Sequence, residues 1–149
     1  ELPDSGASEA VLRFLELPPS VPLRVADERD LFDAAASGSA RMTAVVVCPA
    51  SVGFCGALAG GVAENLPQRA ADVMLKERRP LVLVPRETPL SLVHLRNLTA
   101  LTETGAVIVP AMPAFYQKPE TIDDLIDFVV GKVLDVLGVE HHLFRRWGE

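Results

Sequence analysis

Cysteine, histidine and basic charge are all in short supply in this chain, and each shortage removes a class of function. The 149 residues hold two cysteines, Cys48 and Cys55, too few for the disulfide framework of a small secreted domain. Both lie in apolar sequence, where a thiol behaves as a small hydrophobe, and the compartment expected from them is the reducing cytoplasm. The three histidines include the adjacent pair His141 and His142. Beyond Glu140 that pair has no cysteine, aspartate or glutamate at ligand spacing, so no metal site is expected. Fourteen Lys and Arg face twenty Asp and Glu, a formal charge of −6. That balance argues against a protein that coats nucleic-acid phosphates, and any anion must be gripped locally. No apolar run reaches the ~18 residues of a membrane-spanning helix. GxGxxG and P-loop motifs are missing, as is any arguable Ser-His-Asp or Cys-His arrangement. The stretch SGAS at residues 5–8 has the composition of a phosphate loop, but no strand precedes it.

What is present is apolar: 49% of the residues are hydrophobic, enough to build the core of one domain of this size. Residues 1–22 mix prolines with short apolar groups, and a helix at 9–16, a Pro18-Pro19 turn and a short strand at 23–26 are expected there. The run TAVVVCPA at 43–50 is continuous in its hydrophobicity, which predicts a strand buried on both faces, as in parallel sheets covered by helices. Helices are expected over 51–66 and 67–80, with Pro67 suited to a first turn. The strand PLVLVP at 80–85 follows, then a helix over 91–104 closed by Gly105, then the strand AVIVPAMP at 106–113. Thr121 caps a last helix whose apolar face is Ile122, Leu125, Ile126, Val129, Val130, Val133, Leu134 and Leu137, with Gly138 as its stop. Alternating strands and helices predict an α/β fold with a parallel sheet.

In open parallel sheets ligands bind beyond the carboxyl ends of the strands. Three predicted strands end in proline followed by polar or small residues: Pro49-Ala50-Ser51, Pro85-Arg86-Glu87 and Pro110-Ala111-Met112-Pro113. Side by side, those ends would present Ser51 at a helix start, whose free N–H groups suit an electron-rich group, and Arg86 as a fixed cation beside it. The alternative is a solvated Arg86–Glu87 salt bridge of about 0 to 1 kcal/mol. Arg69, Lys76, Glu77, Arg78 and Arg79 read on spacing alone as the wet face of a helix, and for Tyr116 surface packing and ligand contact are equally open.

The segments RAADVMLKERRPLVLVPRETPLS and GAVIVPAMPAFYQKPETIDDLIDFVVGKVLDVLG, with the closing RWGE, resemble the flavin prenyltransferase (UbiX) family over about residues 44–149. The resemblance implies a Rossmann-like three-layer fold of the flavin-binding, Cys-decarboxylase-like type and a homododecamer. It implies transfer of a dimethylallyl group from dimethylallyl phosphate to reduced FMN, and a UbiD-type decarboxylase that uses the prenylated FMN. It further implies that Ser51, Val52, Gly53 and Phe54 form the flavin loop, that Arg86 contacts FMN, and that Glu87, Arg69 and Lys76 are polar active-site positions. Tyr116 and Lys132 correspond to the positions that hold the donor's phosphate, in a site partly assembled between subunits.

Three departures from the family pattern stand out. Lys132 occupies a position where arginine is common, a point charge in place of a bidentate fork. The flavin loop reads ASVGF where Ser and Thr are more usual. The family's first strand, its FMN-phosphate loop and its second strand have no counterpart here, so residues 1–149 are expected to be one N-terminally incomplete domain with apolar surface left open. Two rival readings accompany this one: a flavin-dependent cysteinyl decarboxylase of the same fold, and a non-catalytic, degenerate subunit.

Overall fold

The structure is a computed structural model that describes residues 5–146 and 148. The valine-rich runs form three strands, β1 (Val45–Ala50), β2 (Leu81–Pro85) and β3 (Val107–Ile108). They pair in parallel in the order β1-β2-β3, with Val46, Val82 and Val107 in one row and Val47, Leu83 and Ile108 in the next. The helices are α1 (Ser5–Phe14), α2 (Val52–Ala59), α3 (Leu66–Lys76), α4 (Leu92–Glu103) and α5 (Ile122–Leu137).

Alternation along the strands decides what each face of the sheet meets. Val45, Val47, Leu81, Leu83 and Ile108 pack with Cys55 and Leu58 of α2, Ala71, Val73 and Met74 of α3, and Leu98 and Leu101 of α4. Leu81, Leu83, Leu101 and Met74 are completely buried, and each such side chain contributes about 1.5–3 kcal/mol of apolar burial. The row on the other face is less well covered: Val82 is buried, but Val46 and Val107 beside it are 39% and 41% exposed. Val136 near the end of α5 reaches that face, lining with Val82 and Val107 an open cavity of about 600 Å³.

Several expectations shift. The strand expected at 23–26 does not form; Val25 N–H donates instead to Ser8 Oγ at 3.0 Å, and Arg24 pairs with Asp33. The expected double burial of β1 is not met, since β1 is the edge of the sheet and Val46, Cys48 and Pro49 stay exposed. The strand expected over 106–113 is assigned only at 107–108, yet its path continues beside β2 through Val109 N–H to Leu83 O (2.8 Å) and Ala111 N–H to Pro85 O (2.9 Å). Pro110 between them has no N–H to give. The first predicted helix starts at Ser5, four residues early, which makes SGAS helical and not a loop. The helix expected to run to residue 66 stops at Ala59, before Gly60 and the left-handed Gly61 (φ 72°).

The basic residues of α3 and of the turn that follows it are not simply a wet face. Arg79 donates to Ala40 O (2.7 Å) and Gly38 O (2.9 Å), and Arg69 Nε donates to Ala36 O (3.2 Å). Together they fasten the segment 36–40 that leads into β1. Among the described residues no helix is long and apolar enough to cross a membrane.

Candidate functional site at the carboxyl rim of the sheet

Ala50 and Pro85 are register partners in the parallel ladder, so Ser51 and Arg86 leave the sheet from adjacent strands, about 4.8 Å apart, at the same end. The hydrogen bond from Ala111 N–H to Pro85 O brings the third strand end to the same rim. Ser51 is the N-cap of α2: its Oγ accepts from Phe54 N–H at 3.0 Å. The positive end of the α2 dipole and the remaining first-turn N–H groups therefore face the rim. Val52 and Phe54 are half-buried, Phe54 against the core, whereas Ser51 and Gly53 are exposed. A Cβ placed on Gly53 would meet nothing nearer than Ser51 Oγ at 3.8 Å. Within the chain nothing crowds this position, and the open space beside it is room for a flat ligand to approach the backbone.

Arg86 is exposed and has no hydrogen-bond or ion-pair partner among the described residues. The salt bridge that spacing suggested does not form, because Glu87 turns to its own backbone and Oε1 accepts from Thr88 N–H at 3.1 Å. What Pro85 and Pro89 bracket at the end of β2 is thus an uncompensated guanidinium with a carboxylate directed elsewhere. Such a cation, next to a helix start, suits the carbonyl edge of an aromatic heterocycle or an anion.

The remaining predicted residues are distributed unevenly. Arg69 lies in the first turns of α3, ion-paired with Asp72 at 2.6 Å. Lys76 is two turns, about 10 Å, further along, at the end of α3 from which the chain turns back into β2. Its ammonium is 2.9 Å from Glu77 Oε1, and that bond holds the Glu77 carboxyl below its ordinary pKa. One copy of the chain does not bring Lys76 to the Ser51–Arg86 rim. Tyr116, 68% exposed, sits in a 3-10 turn (Phe115–Gln117) after β3, its ring edge-on to Phe128 of α5 with centroids 6.4 Å apart. Phe128 and Lys132 are one helical turn apart on α5, so Tyr116 and Lys132 border the same stretch of that helix.

Around Lys132 is a cluster that sequence reading missed. Asp135 receives Lys132 Nζ on Oδ2 (3.2 Å), and His141 Nε2 (3.0 Å) and Arg146 Nη2 (2.8 Å) both lie on Oδ1. The Arg146 guanidinium, helped by Lys132 and His141, pulls the Asp135 carboxyl down to a pKa of about 2. The i,i+3 spacing of Lys132 and Asp135 was a legible signal. Arg146, eleven residues on, was not. Among the described residues no group of three or more His, Cys, Asp or Glu could hold a metal ion.

A parallel α/β sheet with a helix start and a free arginine at its carboxyl rim is the arrangement that flavin- and nucleotide-binding folds use for their ligands. The flavoprotein family model matches residues 12–134. The flavin prenyltransferase UbiX of Methanothermobacter thermautotrophicus is 50% identical over 145 residues, 95% of this chain and 76% of that protein. Its counterpart in Halalkalibacterium halodurans is 58% identical over 114 residues, 76% of this chain and 55% of that protein. The solved structure of AnUbiX (PadA1) in complex with FMN and dimethylallyl pyrophosphate superposes with a TM-score of 0.83 at 42% identity, covering 98% of this chain and 80% of that one. A dodecameric FMN-dependent UbiX-like decarboxylase from Escherichia coli O157:H7 gives 0.82 at 42% identity, covering 98% and 81%. The chain belongs to the flavoprotein family, in its flavin prenyltransferase (UbiX) branch. It spans 55% to 62% of the length of several of the curated relatives it matches.

Proposed function

We propose that this protein is a flavin prenyltransferase that moves a dimethylallyl group from dimethylallyl phosphate to reduced FMN, making prenylated FMN for a UbiD-type decarboxylase. The observation that carries the reading is the Ala50–Pro85 register, which sets the Ser51 helix start and the unpartnered Arg86 side by side in a chain half-identical to a flavin prenyltransferase. The residues fit the ring of a flavin: the N–H groups of Val52 and Gly53 and the Arg86 guanidinium are donors for its carbonyl edge, and the open space at Gly53 admits its plane. Bound FMN, when reduced, supplies the nucleophile. Arg69 and Glu87 are the polar groups assigned near the reacting atoms. Lys76 joins them only from a second copy, in keeping with a homo-oligomer such as the dodecameric neighbour from E. coli.

In the transfer the allylic C–O bond would break as the dimethylallyl carbon passes to that nucleophile, and the phosphate would leave with the bonding pair, taking up the proton the nucleophile gives up to depart as the hydrogenphosphate dianion. Lys132 and the Tyr116 hydroxyl are assigned to hold that dianion, since an ammonium and a phenol donor stabilise charge that grows as the bond breaks. The free thiols Cys48 and Cys55 suit the reducing cytoplasm as the place of action.

The test is to titrate the full-length protein with FMN, then supply dithionite-reduced FMN with dimethylallyl phosphate or, in parallel, dimethylallyl pyrophosphate, and follow prenylated flavin by mass. Stoichiometric prenylated flavin with one of the donors is the expected outcome. FMN binding without prenyl transfer, accompanied by CO2 release from a carboxylate substrate, would replace this reading with a decarboxylase. Neither activity would leave a degenerate subunit.

A further inference from the structure

The turn that ends α3 is tied to the segment that leads into β1. Glu77 caps the helix and Arg78 after it is left-handed (φ 55°). Arg78 N–H donates to Leu75 O (3.1 Å) and Arg79 N–H to Met74 O (2.8 Å), the closing pattern of a Schellman turn. The reversal carries Arg79 across to residues 38–40, where Nη2 donates to Gly38 O (2.9 Å) and Nη1 to Ala40 O (2.7 Å). Arg69 Nε holds Ala36 O of the same segment at 3.2 Å. Gly38 is thereby laid against the Lys76–Glu77 ion pair: a Cβ there would collide with Glu77 Oε1 and stand 3.0 Å from Lys76 Nζ. Glu77 Oε2 faces Arg79 Nη2 at 3.9 Å. Lys76 chiefly, and Arg79 after it, hold the Glu77 carboxyl below its ordinary range. The Lys76 side chain is 46% exposed, its ammonium 2.9 Å from Glu77 Oε1.

We propose that Glu77 is a positioning residue for Lys76 and that Gly38 is the floor it works against: the 36–40 segment, fixed by Arg79 and Arg69, walls in the ion pair and holds the Lys76 ammonium ready for the rim of a second copy. The inference rests on the reading of Lys76 as an active-site cation that acts across a subunit boundary. A free lysine side chain samples many rotamers, and freezing it when substrate arrives is an entropic cost. A carboxylate that restrains it beforehand removes part of that cost. The ammonium stays useful, because it has three N–H donors and Glu77 takes one. Glycine at 38 is required by space and not by a left-handed backbone. What a Cβ would strike is the far end of a flexible side chain, so alanine there shifts the ion pair and leaves the backbone where it is.

The experiment uses the full-length protein with Gly38→Ala, Glu77→Gln and, as a reference, Lys76→Ala, and combines each of the first two with Lys76→Ala. The readouts are kcat and KM for dimethylallyl phosphate with reduced FMN, FMN affinity, oligomeric state and thermal stability. Gly38→Ala and Glu77→Gln are each expected to lower kcat/KM by about ten-fold, with FMN affinity within about two-fold of the parent and with assembly and thermal stability unchanged. Neither should lower the residual rate of Lys76→Ala any further, because a residue that acts only through another then has nothing to act on. Gly38→Ala changes no charge, so its loss reports placement alone. It also keeps the test available should Glu77→Gln fold poorly. If Lys76→Ala lowers kcat/KM and neither Gly38→Ala nor Glu77→Gln does, the inference fails while the reading of Lys76 stands. If Lys76→Ala changes nothing, that reading fails and the inference with it. A loss that persists undiminished in the Lys76→Ala background, or that follows a matching loss of stability or assembly, would show that residues 38 and 77 act on the fold. A rise in kcat/KM for Glu77→Gln would show that the carboxylate competes with the substrate for the ammonium. Either result overturns the proposal.

Discussion

Gly131 lies directly beneath Phe144: a Cβ at residue 131 would come within 2.5 Å of Phe144 Cε1 and 2.7 Å of His141 Cε1. Gly131 is the one residue of α5 that is fully buried, so the absence of a side chain there is what lets the segment 141–146 lie against the helix. Replacing Gly131 by Ala should gain up to about 1 kcal/mol in helix propensity. It should lose more, about 1–3 kcal/mol, by pushing two rings out of contact. Net destabilisation in urea unfolding, with earlier proteolytic loss of the C-terminal segment, is expected. A stability gain would mean that the segment is not held against α5.

Asp135 gives the same contact a pH dependence. Its carboxyl is depressed from 3.8 to about 2, mainly by Arg146, so its contribution is complete above the unfolded value and is lost as pH falls from 3.8 toward 2. NMR titration of the 141–146 amides should show this segment loosening over that window. Asp135→Asn should abolish the effect.

Arg86→Ala should leave stability within about 0.5 kcal/mol of the parent, because an exposed, unpartnered side chain has little to lose. FMN affinity in the full-length protein should fall by about ten-fold, the loss expected for a charge-assisted bond. Thermal unfolding and fluorescence titration distinguish the two. A stability loss without an affinity loss would remove Arg86 from the site.

Leu83→Ala should cost about 2–5 kcal/mol, since Leu83 is completely buried on the central strand between Val47 and Ile108. Chemical denaturation measures it. A cost under 1 kcal/mol would show that the helices α2–α4 do not seal this face.

Local chemistry made much of this protein readable in advance. Valine runs ended by proline announced β1 and β2, Thr121 and Gly138 bounded α5 almost to the residue, and the strand–helix alternation implied parallel pairing. These signals are local: steric preference, capping and hydrophobic period act within a few residues of where they are written. The resemblance to flavin prenyltransferases likewise rode on contiguous segments, and the similarity to known relatives covers most of the chain.

Only the tertiary structure decided the rest. Whether Arg86 and Glu87 paired with each other or turned apart depended on the backbone path at the end of β2, and the N–H of Thr88 won the carboxylate. β1 carries as apolar a sequence as β2, yet among the described residues it lies at the end of the strand order with Val46, Cys48 and Pro49 exposed, and no run of valines encodes strand order. Lys76 was assigned to a site that the direction of α3 takes it away from within a single copy. The Asp135 cluster joins residues 132 to 146 through a helix end, a left-handed Gly138 and a reversal of the chain. Its partners meet by folding, not by spacing.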